Sequence, residues 1–250
     1  MALTLVQVKA KSAKRLVGLH SVILAATTVL IEHCYTRGIN IVITQGLRTI
    51  AEQNALFAQG RTQAELNKGG LSSVKARPDL PKVTNARGGY SYHNFGLAVD
   101  FALLLPDGSS VSWDMRRDGN YNQLEDWQEV VKEAKTLGFQ WGGDWSSFKD
   151  YPHFQMAFGL TLTQLRAGIK PSTATVEAAN KIINKKKEQD KLKNEAIAVV
   201  KVNGVKIADG VLEQGITYVP VRVIAEALGA QVGFDSATRT VEITNVMKKS

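Results

Sequence analysis

A basic segment without aromatic residues divides this chain of 250 residues into two parts. Residues 171–194 contain no Phe, Trp or Tyr, and residues 181–193 hold six lysines against two acidic residues, a local charge of +4. Such a run is typical of an exposed helix or a linker. The sequence therefore predicts three parts, which are a larger domain at residues 1–170, a basic linker at residues 171–195 and a smaller domain at residues 196–246.

Composition places both domains among ordinary globular sequences. Hydrophobic residues make up 44% and charged residues 22%, which excludes a wholly disordered chain, a collagen and a bulk membrane protein. The single cysteine, Cys34, excludes an internal disulfide framework and a cysteine-rich zinc finger, so a metal site must use histidine and carboxylate ligands. The net charge of +8 favours an anionic partner, but no nucleic-acid motif accompanies it.

The longest apolar run, residues 16–31, predicts a buried helix that stops at Gly38. It is shorter than the roughly 20 residues that a membrane-spanning helix needs. No small-residue cleavage site follows it. We therefore expect no integral membrane segment and no signal peptide.

Hydrophobic periodicity predicts an α+β fold in both domains. In the larger domain we expect strands at residues 39–44 and 97–105 and at both ends of 139–156, helices at 51–59 and 122–137, and a long loop at 61–89. In the smaller domain we expect a hairpin at 199–207 around Asn203-Gly204, a strand at 216–219, a helix at 220–228 and a closing hairpin at 232–244.

Two of the four histidines lie outside the predicted apolar helix, and each has an aspartate a few positions away. His93 lies on a predicted loop with Asp100 seven positions later in a predicted strand, and Asp150 precedes His153 by three positions. Two imidazoles and one carboxylate can fill three positions of a tetrahedral zinc ion and leave the fourth for water. A nearby carboxylate that does not bind the metal can accept that water's proton, and Asp150 is the natural candidate. Taken singly, a histidine near an aspartate is more often a surface pair or a structural residue.

The combined pattern is more specific than its parts. Ser91–Asp100 fits S-x-H-x-x-G-x-A-x-D, and Asp150–His153 fits [ED]-x-x-H. Together they resemble the zinc peptidases that include the D-alanyl-D-alanine carboxypeptidases, and more closely the phage and bacterial L-alanyl-D-glutamate endopeptidases. Further motifs of that family occur in the family order, namely Gln45-Gly46-Leu47-Arg48-Thr49, Glu52-Gln53, Gln59-Gly60-Arg61-Thr62, Val83-Thr84-Asn85-Ala86-Arg87-Gly88-Gly89 and Trp141-Gly142-Gly143-Asp144-Trp145. The segment at residues 64–82 is longer than in short family members and could alter access to the site.

The resemblance implies a small antiparallel sheet with flanking helices and a zinc centre that hydrolyses peptidoglycan stem peptides. It implies that His93, Asp100 and His153 bind Zn²⁺ and that Asp150 is the general base.

The same resemblance implies roles for residues that bind no metal. Arg48 would stabilise the tetrahedral oxyanion or hold a substrate carboxylate, as a guanidinium can. Ser91 and Gln53 would hydrogen-bond the substrate, with turn and helix hydrogen bonds as the equal alternative. Trp141 and Trp145 would pack in the core or wall the cleft.

The smaller domain resembles a second known module. The matching segments are Val202-Asn203-Gly204, Tyr218-Val219-Pro220-Val221-Arg222, Ala225-Glu226-Ala227-Leu228-Gly229-Ala230 and Thr240-Val241-Glu242-Ile243. They are similar to the stalk domain named from the N-terminus of copper amine oxidases, and the resemblance covers about residues 199–244. It implies no copper, because this segment has no His and no Cys. Attachment to the cell wall through a secondary wall polymer is one interpretation, and a spacer or dimerisation unit is the other.

These patterns lead to a ranked set of functions. The first is a zinc endopeptidase that cleaves the stem peptide between L-Ala and D-Glu and acts as a phage or prophage endolysin. Without an export signal, it would stay in the host cytoplasm until release. The second is a D-Ala-D-Ala carboxypeptidase with the same chemistry, and the third is a non-catalytic wall-binding protein.

Overall fold

The computed structural model describes residues 3–195, 197–213 and 216–245. The chain divides into two compact units, residues 1–185 and residues 186–250, which we call the N-terminal unit and the C-terminal unit. The predicted boundaries at residues 170 and 195 stay a prediction. Both units mix helices with antiparallel strands, so the predicted α+β class is confirmed.

A five-stranded antiparallel sheet forms the centre of the N-terminal unit. Its strands are β1 (Ile41–Gln45), β2 (Ala98–Leu104), β3 (Val111–Ser112), β4 (Gln140–Trp141) and β5 (His153–Gln155). The order is β1-β2-β5-β4, and β3 pairs with β2 off this path. The register between β2 and β5 sets Asp100 directly opposite His153. Two predicted site residues therefore become neighbours through strand pairing.

Helices flank this sheet. They are α1 (Leu5–Leu16), α2 (Ser21–Thr36), α3 (Ile50–Phe57), α4 (Gln63–Lys68), α5 (Asp126–Thr136) and α6 (Leu162–Arg166). A further helix, α7 (Thr173–Glu195), contributes Ile183 to the core and continues past the boundary between the units at residue 185. The apolar α2 is buried along most of its length, as its composition predicts. None of the helices in the described part of the chain has both the length and the apolar character that a membrane crossing requires.

Aromatic side chains form the centre of the core beneath the sheet. The rings of Phe101 and Phe154 stack with their centroids 5.0 Å apart, and Trp127 of α5 lies 4.4 Å from Phe101. All three side chains are almost completely buried. Because Phe101 follows Asp100 and Phe154 follows His153, this packing fixes the backbone that carries two site residues.

Several predicted element boundaries differ from the structure. Residues 16–20 are not part of α2, because the chain turns at Gly18 with φ +78° and His20 caps the helix through Nδ1. Helix α1 has no counterpart in the prediction, although Thr4 and Gln7 form a capping box at its start. The predicted loop at residues 61–89 contains α4, which begins at a capping box formed by Thr62 and Glu65.

The predicted helix at residues 122–137 begins four residues late. Tyr121 and Gln123 adopt φ values of 59° and 68°, which are left-handed and incompatible with an α-helix. Helix α5 therefore starts only at Asp126.

The C-terminal unit matches its predicted elements closely. It contains β6 (Ile197–Val202), β7 (Val205–Glu213), β8 (Ile216–Tyr218), α8 (Val221–Ala227), β9 (Ala230–Asp235) and β10 (Thr240–Asn245). Strands β6, β7 and β8 form one sheet, and β9 pairs with β10 in another. Asn203 and Gly204 both have positive φ, as a two-residue turn between antiparallel strands requires. The last predicted residue of this domain, Val246, lies outside the described residues.

Candidate metal centre and cleft

Three side chains from adjacent elements meet at one point of the N-terminal unit. Asp100 and His153 face each other across β2 and β5, and His93 lies on a single 3-10 turn just before β2. Asp100 Oδ1 is 3.2 Å from His93 Nε2 and 3.2 Å from His153 Nδ1. The two ring nitrogens are also 3.2 Å apart. This His-Asp-His group could hold a metal ion.

The outer nitrogens of both imidazoles have hydrogen-bond acceptors. His93 Nδ1 is 2.8 Å from the carbonyl oxygen of Gly46, and His153 Nε2 is 2.9 Å from Gln155 Oε1. Assigned from these partners, each outer nitrogen carries the proton and each inner nitrogen presents a lone pair. Two lone pairs and a carboxylate oxygen that face each other suit a cation, and such outer acceptors orient histidine ligands in metal sites. The residues therefore fit a bound zinc ion.

The electrostatics of the three groups agree with a cation at this point. Burial opposes ionisation of Asp100, but His93 and His153 outweigh it and hold the pKa of that carboxyl well below its usual range. Burial likewise lowers the pKa of His153, but the hydrogen bond and charge of Asp100 outweigh it and raise that pKa. The centre therefore stabilises positive charge, whether carried by a proton or by a metal ion.

Gly46 allows the close backbone approach that positions His93. A Cβ atom at residue 46 would lie 1.8 Å from the carbonyl oxygen of Arg15, which no side chain can occupy. The bare backbone at Gly46 passes α1 and presents its own carbonyl oxygen to His93. The close approach of the Arg15 carbonyl oxygen therefore explains why the Gln45–Thr49 motif contains a glycine at residue 46.

Asp150 is half-buried and lines the same cleft as the three ligand residues. Burial and then the charge of Asp100 raise its pKa, against the opposing effect of His153, His93 and Arg48. Its main chain packs against Gly142, where a Cβ would lie 2.3 Å from the Asp150 carbonyl oxygen. A carboxylate with a raised pKa beside a metal site is suited to proton transfer.

Arg48 reaches the centre from the turn after β1. Its Nη2 lies 3.5 Å from Asp100 Oδ2, and its Nη1 donates a hydrogen bond of 2.7 Å to Gln53 Oε1. Its Nε is buried and has no hydrogen-bond partner in the described residues. A guanidinium with an unused buried donor has capacity for a further acceptor.

Gln53 is fully buried and uses both ends of its amide within the protein. Oε1 accepts from Arg48, and Nε2 donates 2.7 Å to the carbonyl oxygen of Ala86. It does not line the cleft, so the predicted substrate contact has no free group on this side chain. The geometry instead gives Gln53 the task of holding Arg48.

The remaining predicted residues lie at different depths. Ser91 caps the 3-10 turn by accepting from the N–H of His93 and also lines the cleft, so both predicted roles remain compatible with its position. Trp145 lines the cleft, and its ring centroid is 5.2 Å from that of His153. Trp141 is 8% exposed and donates from Nε1 to the carbonyl oxygen of Tyr151, as a core residue does.

Two positioning residues had no sequence prediction. Gln155 holds His153 and in turn donates to Gln140 Oε1 at 3.1 Å. The available signal was the alternation of side chains along a strand, which places residue 155 on the same face as residue 153. Asn94 donates to the carbonyl oxygen of Arg48 and accepts from the N–H of Gly89, and no sequence signal distinguishes it from an ordinary loop asparagine.

The cleft above the centre has a volume of about 420 Å³. Its walls are formed by Arg48, Thr84, Asn85, Ala86, Tyr90, Ser91, Tyr92, His93, Asp100, Trp145, Phe148, Asp150, His153, Gln155 and Leu162. Residues 64–82 contribute none of these side chains. The expanded segment therefore does not wall the cleft in this structure.

A buried His-Asp-His group with a carboxylate and an arginine beside it, on an antiparallel sheet, defines a candidate metallohydrolase centre. The family model for D-alanyl-D-alanine carboxypeptidases of peptidase family M15 matches residues 84–156, which include all three ligand candidates. The peptidoglycan L-alanyl-D-glutamate endopeptidase CwlK of Bacillus subtilis is 50% identical over 138 residues, which cover 55% of this chain and 73% of that protein. This chain belongs to the M15 peptidase family.

Other similarities are more partial. The L-alanyl-D-glutamate peptidase of Listeria phage A118 is 31% identical over 134 residues, 54% of this chain and 36% of that protein. A solved structure of the L-Ala D-Glu endopeptidase ChiX of Serratia marcescens matches 60% of this chain and 88% of its own at 22% identity, with a TM-score of 0.37. The model for the copper amine oxidase N-terminal domain matches residues 199–249, so the second predicted resemblance is also confirmed.

Proposed function

We propose that this chain is a zinc-dependent peptidoglycan endopeptidase that cleaves the stem peptide between L-Ala and D-Glu. The observation that carries the proposal is the convergence of His93 Nε2, Asp100 Oδ1 and His153 Nδ1 within hydrogen-bond distance of one another. Its bond specificity is supported by 50% identity to an enzyme named for that activity.

His93, Asp100 and His153 would hold the zinc ion, and Gln155 and the Gly46 carbonyl would orient its two histidines. Zinc bound there would lower the pKa of a water molecule and polarise the scissile carbonyl. The protein's own contribution begins with the orientation of these ligands, which is set by strand register and by the outer hydrogen bonds.

Asp150 would move the proton. As the carboxylate, it accepts a proton from the attacking water, whose oxygen adds to the carbonyl carbon of L-Ala. As the acid, it returns that proton to the amine of D-Glu when the C–N bond breaks. The half-buried position that raises its pKa makes both directions of transfer accessible.

Arg48 would stabilise the negative charge that develops on the former carbonyl oxygen or hold a substrate carboxylate. Its Nε has no partner among the described residues, and Gln53 fixes its Nη1. We assign Gln53 a positioning role, because its amide spans the gap between Arg48 and the main chain at Ala86. Ser91 would contact the substrate from the rim of the cleft.

The test is mass spectrometry of purified peptidoglycan after digestion by the zinc-loaded protein. New N-terminal D-Glu on stem peptides, absent after chelation, is the expected product. Asp150→Asn is the matched variant, because it should lose turnover while it retains one zinc per chain. Loss of zinc in that variant would contradict the assignment of Asp150 as a base.

The carboxypeptidase alternative is favoured by one observation, the description of the matching family model. It predicts release of free D-Ala and no new D-Glu terminus in the same experiment. A non-catalytic wall-binding protein predicts neither product. The presence of all three candidate ligands, a candidate base and an arginine favours a catalyst over a non-catalytic wall-binding protein.

Wall attachment and lysis are further proposals for the whole chain. Residues 196–245 contain four basic and five acidic residues, a net charge of −1, so this part has no electrostatic attraction for an anionic wall polymer. Sedimentation with purified walls would compare the full chain with one that ends at residue 195, and equal binding would leave residues 196–250 as a spacer. A phage role predicts that cytoplasmic expression lyses cells only when a holin is supplied.

A further inference from the structure

A second group of oxygen-bearing side chains runs from the loop after β3 into the first turn of α5, away from the His-Asp-His group. Residues 118–129 read D-G-N-Y-N-Q-L-E-D-W-Q-E. Oxygen-bearing side chains occupy positions 1, 3, 5, 9 and 12 of this stretch, and they are Asp118, Asn120, Asn122, Asp126 and Glu129. This is the ligand spacing of an EF-hand calcium loop, in which position 7 contributes a backbone carbonyl.

The backbone adopts the turn that this spacing requires. EF-hand loops have glycine at position 6, and here Gln123 stands there with a φ of 68°, in the left-handed region that glycine favours. The carboxylate of Asp118 accepts from the N–H of Asn122 at 3.1 Å and from the N–H of Gln123 at 2.9 Å. The chain therefore curls around the side chain at position 1 despite the missing glycine.

The side chain at position 12 faces back into the loop. Glu129 Oε2 lies 3.2 Å from the amide of Asn120 and 2.9 Å from the amide of Asn122. Both amides occupy ligand positions and would present their oxygens to a cation after rotation about the terminal bond, which exchanges the oxygen and nitrogen. Groups from positions 3, 5 and 12 therefore meet at one point.

Position 9 contains a buried oxygen with no partner. The Asp126 side chain is only 5% exposed. Its Oδ2 lies 3.8 Å from Arg117 Nε, whereas its Oδ1 makes no hydrogen bond within the described residues. The carboxylate points into the loop, because its Oδ2 accepts from the N–H of Gly119 at 2.9 Å. A buried carboxylate oxygen without a partner is costly, and a cation within the loop would supply one.

We propose that residues 118–129 form a Ca²⁺ site that is separate from the His-Asp-His centre. Three carboxylates, two amide oxygens and the carbonyl of Leu124 make an all-oxygen ligand set, which calcium prefers and which offers zinc no nitrogen or sulfur. Two of the five ligand side chains are neutral amides and no helix precedes the loop in residues 113–117. We therefore expect weak affinity, on the order of 10⁻⁴–10⁻³ M, as in extracellular calcium modules.

The site is connected to the sheet through the first turn of α5. Trp127 follows the position-9 ligand and packs against Phe101, which stacks on Phe154. Calcium bound by Asp126 and Glu129 would fix this turn on both sides of Trp127. The bound ion should therefore stabilise the N-terminal unit against heat.

The test is calorimetric titration of CaCl₂ into the full chain after removal of divalent ions and reloading with one zinc. We expect one calcium site and a rise of a few degrees in the midpoint of thermal unfolding. Asp118→Asn and Glu129→Gln should each weaken binding at least about tenfold. Glu125→Gln is the matched control, because it removes the same charge from position 8, where the exposed side chain makes no capping bond.

Any of the following results would overturn the proposal. One is the absence of saturable binding up to about 10 mM calcium, roughly ten times the weakest affinity expected. Another is equal weakening by Glu125→Gln and Glu129→Gln, which would indicate general charge attraction. The third is binding of Mg²⁺ as tight as that of Ca²⁺, or loss of calcium binding in His93→Ala. If circular dichroism shows that Glu129→Gln is unfolded, the calcium affinity of Asp118→Asn decides between the outcomes.

Discussion

The N-terminal unit buries most of its large apolar side chains, whereas the C-terminal unit leaves most of its own exposed. Trp127, Phe101 and Phe154 of the first are at most 1% exposed. In the second, Phe234 is 61% exposed and Ile243 53%. Among the described residues of the C-terminal unit, Ala225 is the only buried hydrophobic residue. The candidate metal centre thus lies in the unit whose side chains are fixed by packing.

The exposed residues of the C-terminal unit are nevertheless ordered by strand pairing. Val241 lies opposite Phe234 and Ile243 lies opposite Val232, so these four share one face of the β9–β10 hairpin. Turn residues and the alternation of apolar and polar residues are sufficient to form such hairpins. Burial of their apolar face needs a second surface that packs against it. Local sequence signals can therefore define strands and turns without defining a buried core.

Replacement of Asp150, the proposed proton-transfer residue of the N-terminal unit, should reduce activity most. Asp150→Asn should lower turnover of peptidoglycan fragments about 10²–10⁴-fold, because the side chain can no longer accept the water's proton. Kinetics on soluble fragments measure this, with zinc content as the control. In contrast, Asp235→Asn in the C-terminal unit should leave turnover unchanged. Equal losses in the two variants would remove the functional distinction between the units.

Core truncation should separate the units by stability. Phe101→Ala should cost about 3–5 kcal/mol, because it leaves a cavity between Trp127 and Phe154. Phe234→Ala should change the free energy of unfolding by less than about 1 kcal/mol, since its ring is already 61% exposed. Denaturant unfolding of both variants measures the difference. A large cost for Phe234→Ala would mean that its ring is covered in solution.

A smaller effect is expected for the residue that orients His153. Gln155→Ala should weaken zinc affinity about 10–100-fold, as removal of such outer partners does in other metal sites. Competition with a chromogenic chelator measures the affinity. Gln140→Ala, one contact further out, is the control and should have a weaker effect. Unchanged affinity in Gln155→Ala would contradict the proposed role of its Oε1.

Removal of residues 196–250 should have little effect on hydrolysis of soluble fragments. A chain ending at residue 195 should hydrolyse soluble fragments at the full-length rate. A chain ending at residue 171 should be less stable, because it loses Ile183, which is 1% exposed and belongs to the core. Thermal unfolding and activity of the two chains test this. Equal stability would mean that α7 is only a tether.

The three candidate ligands could be named from the sequence because they fall in two short motifs that resemble those of a zinc peptidase family, and their binding of zinc stays a proposal. Asp100 and His153 lie in short apolar segments that pair, and their motifs are local in sequence. The buried roles of Gln53 and Gln155 were not predictable to the same degree, because each depends on partners brought near by tertiary packing.

Element boundaries failed where single residues override periodicity. The pattern at residues 122–125 is helical, yet the left-handed Tyr121 and Gln123 delay α5 to Asp126. Helix α1 has no predicted counterpart, although residues 5–16 are amphipathic and the capping box of Thr4 and Gln7 marks the start of the helix. In the C-terminal unit, glycine and proline mark nearly every boundary, so prediction there was closest.

A crystal structure of the zinc-loaded chain, with anomalous data at the zinc edge, would show directly which atoms bind the metal. We expect one strong peak bound by His93 Nε2, Asp100 and His153 Nδ1, with His153 Nε2 still bonded to Gln155. A peak bound through His153 Nε2, or one located away from these three residues, would contradict it.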